Sequence, residues 1–221
     1  MATISLSTRH GRISGWKAMP HVTPKGAVVL VQEIFGVNNH IRQLADKFAN
    51  YGYVTIAPAL FDLIHPGVEL AYDEAGIARG REIVDELGFN GALDGVRAAY
   101  DHLEADYKVA TVGFCWGGSV AFLANTRFGV PAVSYYGART VPLLRERPKA
   151  PLMLHFGDQD TSISAEDIEK HRDALPGAEI HVWPAGHGFN CDQRADYNAE
   201  VAQQALTRTL GFLAKRLHTN G

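Results

Sequence analysis

Cys115, Asp160 and His187 are the side chains on which nucleophilic chemistry could be built. Cys115 sits in Gly113-Phe114-Cys115-Trp116-Gly117-Gly118, a Gly-x-nucleophile-x-Gly pattern. Val109, Ala110, Thr111 and Val112 before it read as a buried strand, and Ser119 to Asn125 after it as a helix. Strand, sharp turn and helix are the setting that this motif requires. The glycines let the turn close and lift one side chain out at the sheet edge. A thiol there also meets a helix N-terminus, whose N–H groups favour a thiolate. Without those glycines, a buried structural thiol would be the better reading of Cys115.

A nucleophilic thiol needs a base, and the base needs an orienting partner. Phe156-Gly157-Asp158-Gln159-Asp160 follows one expected strand, and Pro184-Ala185-Gly186-His187-Gly188-Phe189 follows the last. The Gly-x-x-Asp spacing favours Asp160 over Asp158. Of the ten histidines, His10, His40, His102, His171 and His218 read as exposed. His65 and His155 could approach a site, although His155 lies inside a strand. His187, between glycines and after a strand, is the specific candidate. The chain order Cys115, Asp160, His187 is the nucleophile–acid–histidine order of α/β-hydrolases.

These loops need a scaffold. Thr3 to Ser7 and Ile13 to Ala18 flank Arg9-His10-Gly11 as a hairpin. Ala27 to Gln32 is a continuous apolar run ending in Gln, the mark of a strand buried on both faces. Ile41, Leu44, Ala45 and Phe48 have helical spacing, and Tyr53 to Ala57 is the next strand. Asp62 to Glu74 is irregular. Helices are expected over Ile77 to Leu87, Gly91 to Glu104, Ala165 to Ala174 and Asp196 to Leu217. Further strands are expected over Ala132 to Tyr136, Pro151 to Phe156 and Glu179 to Trp183. Alternating strands and helices imply a mostly parallel sheet with helices on both faces. Chemistry in such sheets gathers beyond the strands' carboxyl ends.

The 221 residues suit a single domain over 1–221 with a full core. A formal net charge of −3 gives no footing for nucleic acid or an anionic membrane. No apolar run is long enough to span a bilayer, and MATISLSTRHGR lacks a signal peptide's apolar core, so a cytoplasmic location is expected. There is no phosphate-binding Gly-x-x-x-x-Gly-Lys loop and no cluster with metal spacing, so neither cofactor nor metal is expected. The expected partner is a small-molecule substrate, with the protein a monomer or small homo-oligomer.

Taken together, Gln32-Glu33-Ile34-Phe35-Gly36, the Cys115 motif, Tyr135-Tyr136-Gly137, Gly157-Asp158-Gln159-Asp160 and Ala185-Gly186-His187-Gly188-Phe189 resemble the dienelactone hydrolase family. The resemblance implies an α/β-hydrolase fold with an N-terminal hairpin and no large lid domain. It implies Cys115 as nucleophile, His187 as base, Asp160 as the partner that holds the imidazole, and Glu33 as a carboxylate beside the resting thiol. It also implies an oxyanion hole from the Ile34 and Trp116 N–H groups. A carboxylate directly after AVVLVQ is costly to bury unless paired, and a thiol or an arginine would be the natural partner.

The match thins at the substrate. Family members that act on dienelactone hold its carboxylate with arginines, one of them four residues after the histidine. Here that position is Cys191, with Arg194 near but out of register, and Arg79 and Arg81 compete for the other arginine position. Phe35, Trp116, Tyr135 and Phe189 are candidate walls of an aromatic pocket. The implied activity is hydrolysis of an ester or lactone through an acyl-enzyme thioester, of the carboxymethylenebutenolidase type. The alternatives are a promiscuous carboxylesterase or thioesterase taking neutral or phosphoester substrates, and a non-catalytic thiol sensor on the same fold.

Overall fold

The computed structural model describes residues 1–217; His218, read above as exposed, lies outside them. The chain divides into two compact units, Met1–Ala110 with Leu217, and Thr111–Arg216.

The first unit carries β1 (Ala2–Thr8), β2 (Gly11–Ala18), β3 (Ala27–Val31), α1 (Asn39–Asn50), β4 (Val54–Pro58) and α2 (Glu74–Glu104). Its strands run in the order β1-β2-β4-β3. β1 and β2 form the expected antiparallel hairpin, β2 joins β4 antiparallel, and β3 joins β4 parallel. All five residues of β3 and of β4 are buried, which is why β3 reads as an unbroken apolar run and β4 carries Thr55 as its one polar residue. α1 turns Ile41, Leu44, Ala45 and Phe48 inward, and Asn38 caps it by accepting from the Ile41 N–H at 3.2 Å. The two helices expected between Ile77 and Glu104 form one element that starts earlier, at Glu74, and is capped by the Asp73 carboxylate. The break between them survives at Gly88, with φ 64° and ψ 173°.

The second unit holds β5 from Thr111 on (the whole strand is Val109–Phe114), α3 (Trp116–Phe128), β6 (Ala132–Tyr135), β7 (Leu152–Gly157), α4 (Ala165–Ala174), β8 (Glu179–Trp183) and α5 (Ala199–Leu217, the last residue aside). Its strands lie in sequence order and pair in parallel. The carboxyl ends of β5, β6, β7 and β8 therefore point the same way, so the loops that follow them share one side of the sheet.

A buried polar chain ties these strands to α5. The Trp183 indole N–H donates to His155 Nδ1 at 3.1 Å, His155 Nε2 meets Thr209 Oγ1 at 3.2 Å, and the Tyr135 hydroxyl meets the same oxygen at 2.6 Å. Burial first, then the charges of His181 and Arg208, hold His155 well below the usual histidine range, so it is neutral there.

Two histidines read as exposed are buried. His40 lies in the first turn of α1, its ring perpendicular to that of Tyr72. His171 shares the inner face of α4 with Ile168, packs on Phe156 and donates from Nδ1 to the Asp167 carbonyl at 2.6 Å. Periodicity alone does not mark a polar residue as inward when its hydrogen bond is made within its own helix. α4 itself starts at a capping box in which Ser164 accepts from the Asp167 N–H at 3.1 Å and Asp167 accepts from the Ser164 N–H at 3.4 Å. Ser164→Ala should therefore cost about 1 kcal/mol in urea unfolding with an unchanged m-value.

Candidate active site

Cys115 lies between β5 and α3 with φ 55° and ψ −122°, a left-handed backbone that costs a non-glycine residue about 1–3 kcal/mol. Its neighbours make that turn possible. A Cβ on Gly113 would run into the Gly117 carbonyl, and one on Gly118 would come within 2.7 Å of Ser134 Oγ and 2.8 Å of the Tyr135 carbonyl. The Cys115 N–H donates to the Tyr135 carbonyl at 3.0 Å, which fastens the turn to β6. Trp116 opens α3, so its N–H stands at the positive end of the helix dipole.

Asp160 and His187 reach Cys115 from the loops after β7 and β8. A Cβ on Gly157 would collide with the Ala185 carbonyl, so the glycine of the acid loop is the one that lets the histidine loop come close. His187 donates from Nδ1 to Asp160 Oδ2 at 2.7 Å, and its Nε2 lies 3.2 Å from Cys115 Sγ. The second Asp160 oxygen accepts from the Ser162 N–H at 2.7 Å, and the carboxylate is fully buried. Asp158, the rival acid, is exposed. His155 and His65 make other bonds, the first to Trp183 and Thr209, the second to Glu86.

The His187 pKa is set by competing effects. Burial, the largest, lowers it. The Cys115 charge, the hydrogen bonds to Asp160 and Cys115 and the Asp160 charge raise it, and the outcome is a value pushed up to about 10. A histidine so placed is an imidazolium at neutral pH and stabilises a thiolate beside it. Chemically the arrangement offers a thiol nucleophile, a proton donor for a leaving group and a fixed carboxylate behind it.

The other candidates are distributed as follows. Glu33 is fully buried directly after β3, and its Oε2 accepts from the Tyr72 hydroxyl at 2.8 Å. A tyrosine is thus a partner where a thiol or an arginine was expected. Tyr72 comes from the irregular Asp62 to Glu74 stretch, where no periodicity marked an inward residue. Ile34 is buried beside it, and Phe35 packs on Tyr72 with ring centres 4.3 Å apart. Arg79 is exposed, bonded to Glu82 at 2.9 Å and 3.4 Å from His65 Nε2, and Arg81 is exposed on the same helix. Cys191 is buried, its N–H bonded to the Gly188 carbonyl. Arg194 packs against the backbone beside His187, since a Cβ on Gly188 would come within 2.7 Å of its Nε.

Within the second unit, the ring expected from Tyr135 at the site is supplied by Tyr136. Tyr135 stacks on Phe114 at 4.6 Å and gives its hydroxyl to the Thr209 pair. Tyr136, with φ 40°, turns its ring to His187, centre to centre 5.2 Å, with Phe189 behind it at 5.1 Å. The Tyr-Tyr-Gly motif contained this residue, but strand alternation does not foretell a left-handed turn right after β6.

The model of the dienelactone hydrolase family matches residues 13–217. The chain belongs to the dienelactone hydrolase family. A Synechocystis protein assigned as a carboxymethylenebutenolidase is 37% identical over 224 residues, covering 91% of each chain. The carboxymethylenebutenolidase of Pseudomonas putida is 31% identical over 207 residues, covering 88% of each. The crystal structure of a Klebsiella pneumoniae protein assigned to the dienelactone hydrolases superposes with a TM-score of 0.87 at 28% identity, covering 97% of this chain and 98% of that one. The fold is that of the α/β-hydrolases, and the family member described here is an ester hydrolase. No helix among the described residues is long and apolar enough to cross a membrane.

The His187 balance is testable. Its folded value of about 10 lies above the ~6.5 of an unfolded histidine, so its stabilising contribution is complete below pH ~6.5 and is lost as the pH rises through about 10. In an NMR titration the His187 ring signals should stay in the imidazolium form through neutral pH. In Cys115→Ala the midpoint should fall, because the largest raising effect is gone while burial remains.

Proposed function

We propose that this enzyme hydrolyses ester or lactone bonds with Cys115 as nucleophile, His187 as acid and base, and Asp160 as the residue that orients the imidazole. The observation that supports this most is the continuous line from Asp160 Oδ2 through both His187 nitrogens to Cys115 Sγ, at 2.7 and 3.2 Å. In the first step the thiolate attacks the carbonyl carbon, a C–S bond forms and the C–O bond to the leaving group breaks. The departing alkoxide takes the proton from His187 Nε2. In the second step water attacks the thioester, His187 takes the water proton, and the C–S bond breaks to return the thiolate. For a lactone the alkoxide stays tethered to the acyl group.

Two further roles rest on the motif match. Glu33 is proposed as the carboxylate that attends the resting thiol, and the Ile34 and Trp116 N–H groups as donors to the oxyanion. In this reading the whole chain acts as one domain. A nucleophile that works as a free thiol also suits a reducing compartment, which favours the cytoplasm; neither cysteine is in a disulfide.

The relatives' name, carboxymethylenebutenolidase, points to an anionic lactone, but Cys191 stands where one of the family's substrate-binding arginines is expected. Losing a charge-assisted bond of about 1.5–3 kcal/mol would weaken selection for the carboxylate by roughly 10- to 100-fold. Neutral aryl esters should therefore be turned over with a kcat/KM at least equal to that for dienelactone. Cys115→Ala should lower kcat/KM for both by at least about a thousandfold. Retained turnover in that variant would refute the thiol mechanism.

A further inference from the structure

The mechanism leaves one buried side chain beside His187 without a role. Tyr136 is fully buried, follows β6 directly, and holds φ 40°, one of the described chain's non-glycine residues in left-handed backbone along with Cys115 itself. Its N–H donates to the His155 carbonyl at 2.8 Å, which pins the turn to β7. Its ring meets the imidazole at 60°, centres 5.2 Å apart, and Phe189 packs at 79° behind it, 5.1 Å away. Strained backbone persists only where the surroundings over-determine it. Here the effect of the strain is to aim an aromatic ring at the imidazole.

We propose that Tyr136 is a positioning residue whose ring holds the His187 imidazole in place during deacylation. This inference rests on the thiol mechanism above. In the resting enzyme the imidazole is fixed at both ends, by Asp160 at Nδ1 and by Cys115 at Nε2. Once Cys115 is a thioester, its sulfur carries no charge and no longer anchors Nε2. The Asp160 bond alone leaves the ring free to swing about Nδ1, while Nε2 must still face the incoming water. The Tyr136 ring, backed by Phe189, stands against that swing. The first chemical step begins with two anchors and the second with one, so removal of the ring slows the second step selectively. A residue that merely filled the core would slow both.

The experiment is rapid-mixing kinetics with p-nitrophenyl acetate, together with intact-protein mass spectrometry of the quenched reaction. The variants are Tyr136→Phe, which keeps the ring, and Tyr136→Asn, which removes it while tolerating positive φ. Tyr136→Asn is expected to release about one equivalent of nitrophenol at close to the wild-type burst rate. Steady turnover then slows by roughly 10- to 100-fold, the scale of loss for a displaced catalytic group, and the acetylated enzyme accumulates. Tyr136→Phe is expected to restore deacylation. The proposal is overturned if Tyr136→Asn slows burst and steady state equally, if it slows neither, or if Tyr136→Phe is as impaired as Tyr136→Asn. Phe189→Leu, which loosens the brace, serves if Tyr136→Asn does not fold, and the same selective slowing is required of it. If the wild-type protein forms no acetyl adduct that Cys115→Ala abolishes, it is the thiol mechanism that fails.

Discussion

The left-handed backbone at Cys115 is the constraint around which the second unit is built. A cysteine gains nothing locally from φ 55°, and the strain of about 1–3 kcal/mol has to be offset by packing around it. Buried, parallel β5 and β6 supply part of that, since Phe114 and Tyr135, paired across the two strand ends just before the turn, stack at 4.6 Å. The Tyr135 carbonyl then takes the Cys115 N–H. Gly113 and Gly118 are the residues that the same geometry demands, because any side chain there would strike backbone. The motif is therefore a description of one sharp turn, and the chemistry of the thiol follows from where that turn points.

The same principle acts twice more along the sheet. Gly157 lets the chain leaving β7 pass under the Ala185 carbonyl, and Tyr136 turns left-handed just past β6. In one case the backbone is strained and in the other a side chain would have no room, and both sit at a strand's carboxyl end. The rigid part is the parallel sheet, whose strands are fully buried from β5 to β7. The polar chain from Trp183 through His155 and Thr209 to Tyr135 stiffens it beneath the site. A neutral His155 suits that position, since an imidazolium buried there would also oppose the charges of His181 and Arg208.

Much of this was legible in the sequence, for a physical reason. Parallel strands buried on both faces have to be apolar runs, so Ala27 to Gln32 and Val109 to Val112 announced themselves, and the loops bearing Cys115, Asp160 and His187 followed from strand ends. What escaped was whatever depends on side-chain direction in irregular backbone. Tyr72 reaches Glu33 from a stretch with no period to read. Tyr136 and not Tyr135 meets His187 because a single positive φ rotates the chain after β6. His40 and His171 turn inward against the polarity of their type, and His171 does so with only its Nδ1 bonded, to the Asp167 carbonyl of its own helix.

The balance at His187 also bears on how a thiol enzyme avoids stalling. An imidazolium is the right partner for attack and for protonating the leaving group, but a group held up at about 10 is a poor match for accepting a proton from water at neutral pH. The largest of the effects that raise it is the negative charge of Cys115, and acylation removes that charge. What then remains is burial, which lowers the value and is the strongest effect of all, opposed by Asp160 alone. On the proposed mechanism His187 gives up its proton to the alkoxide, and with the Cys115 charge gone its hold on a proton is weaker while the thioester lasts, the direction that suits a base. When the thioester is cleaved the thiolate charge returns, and with it the imidazolium. On that mechanism the charge of the nucleophile biases the role of its base.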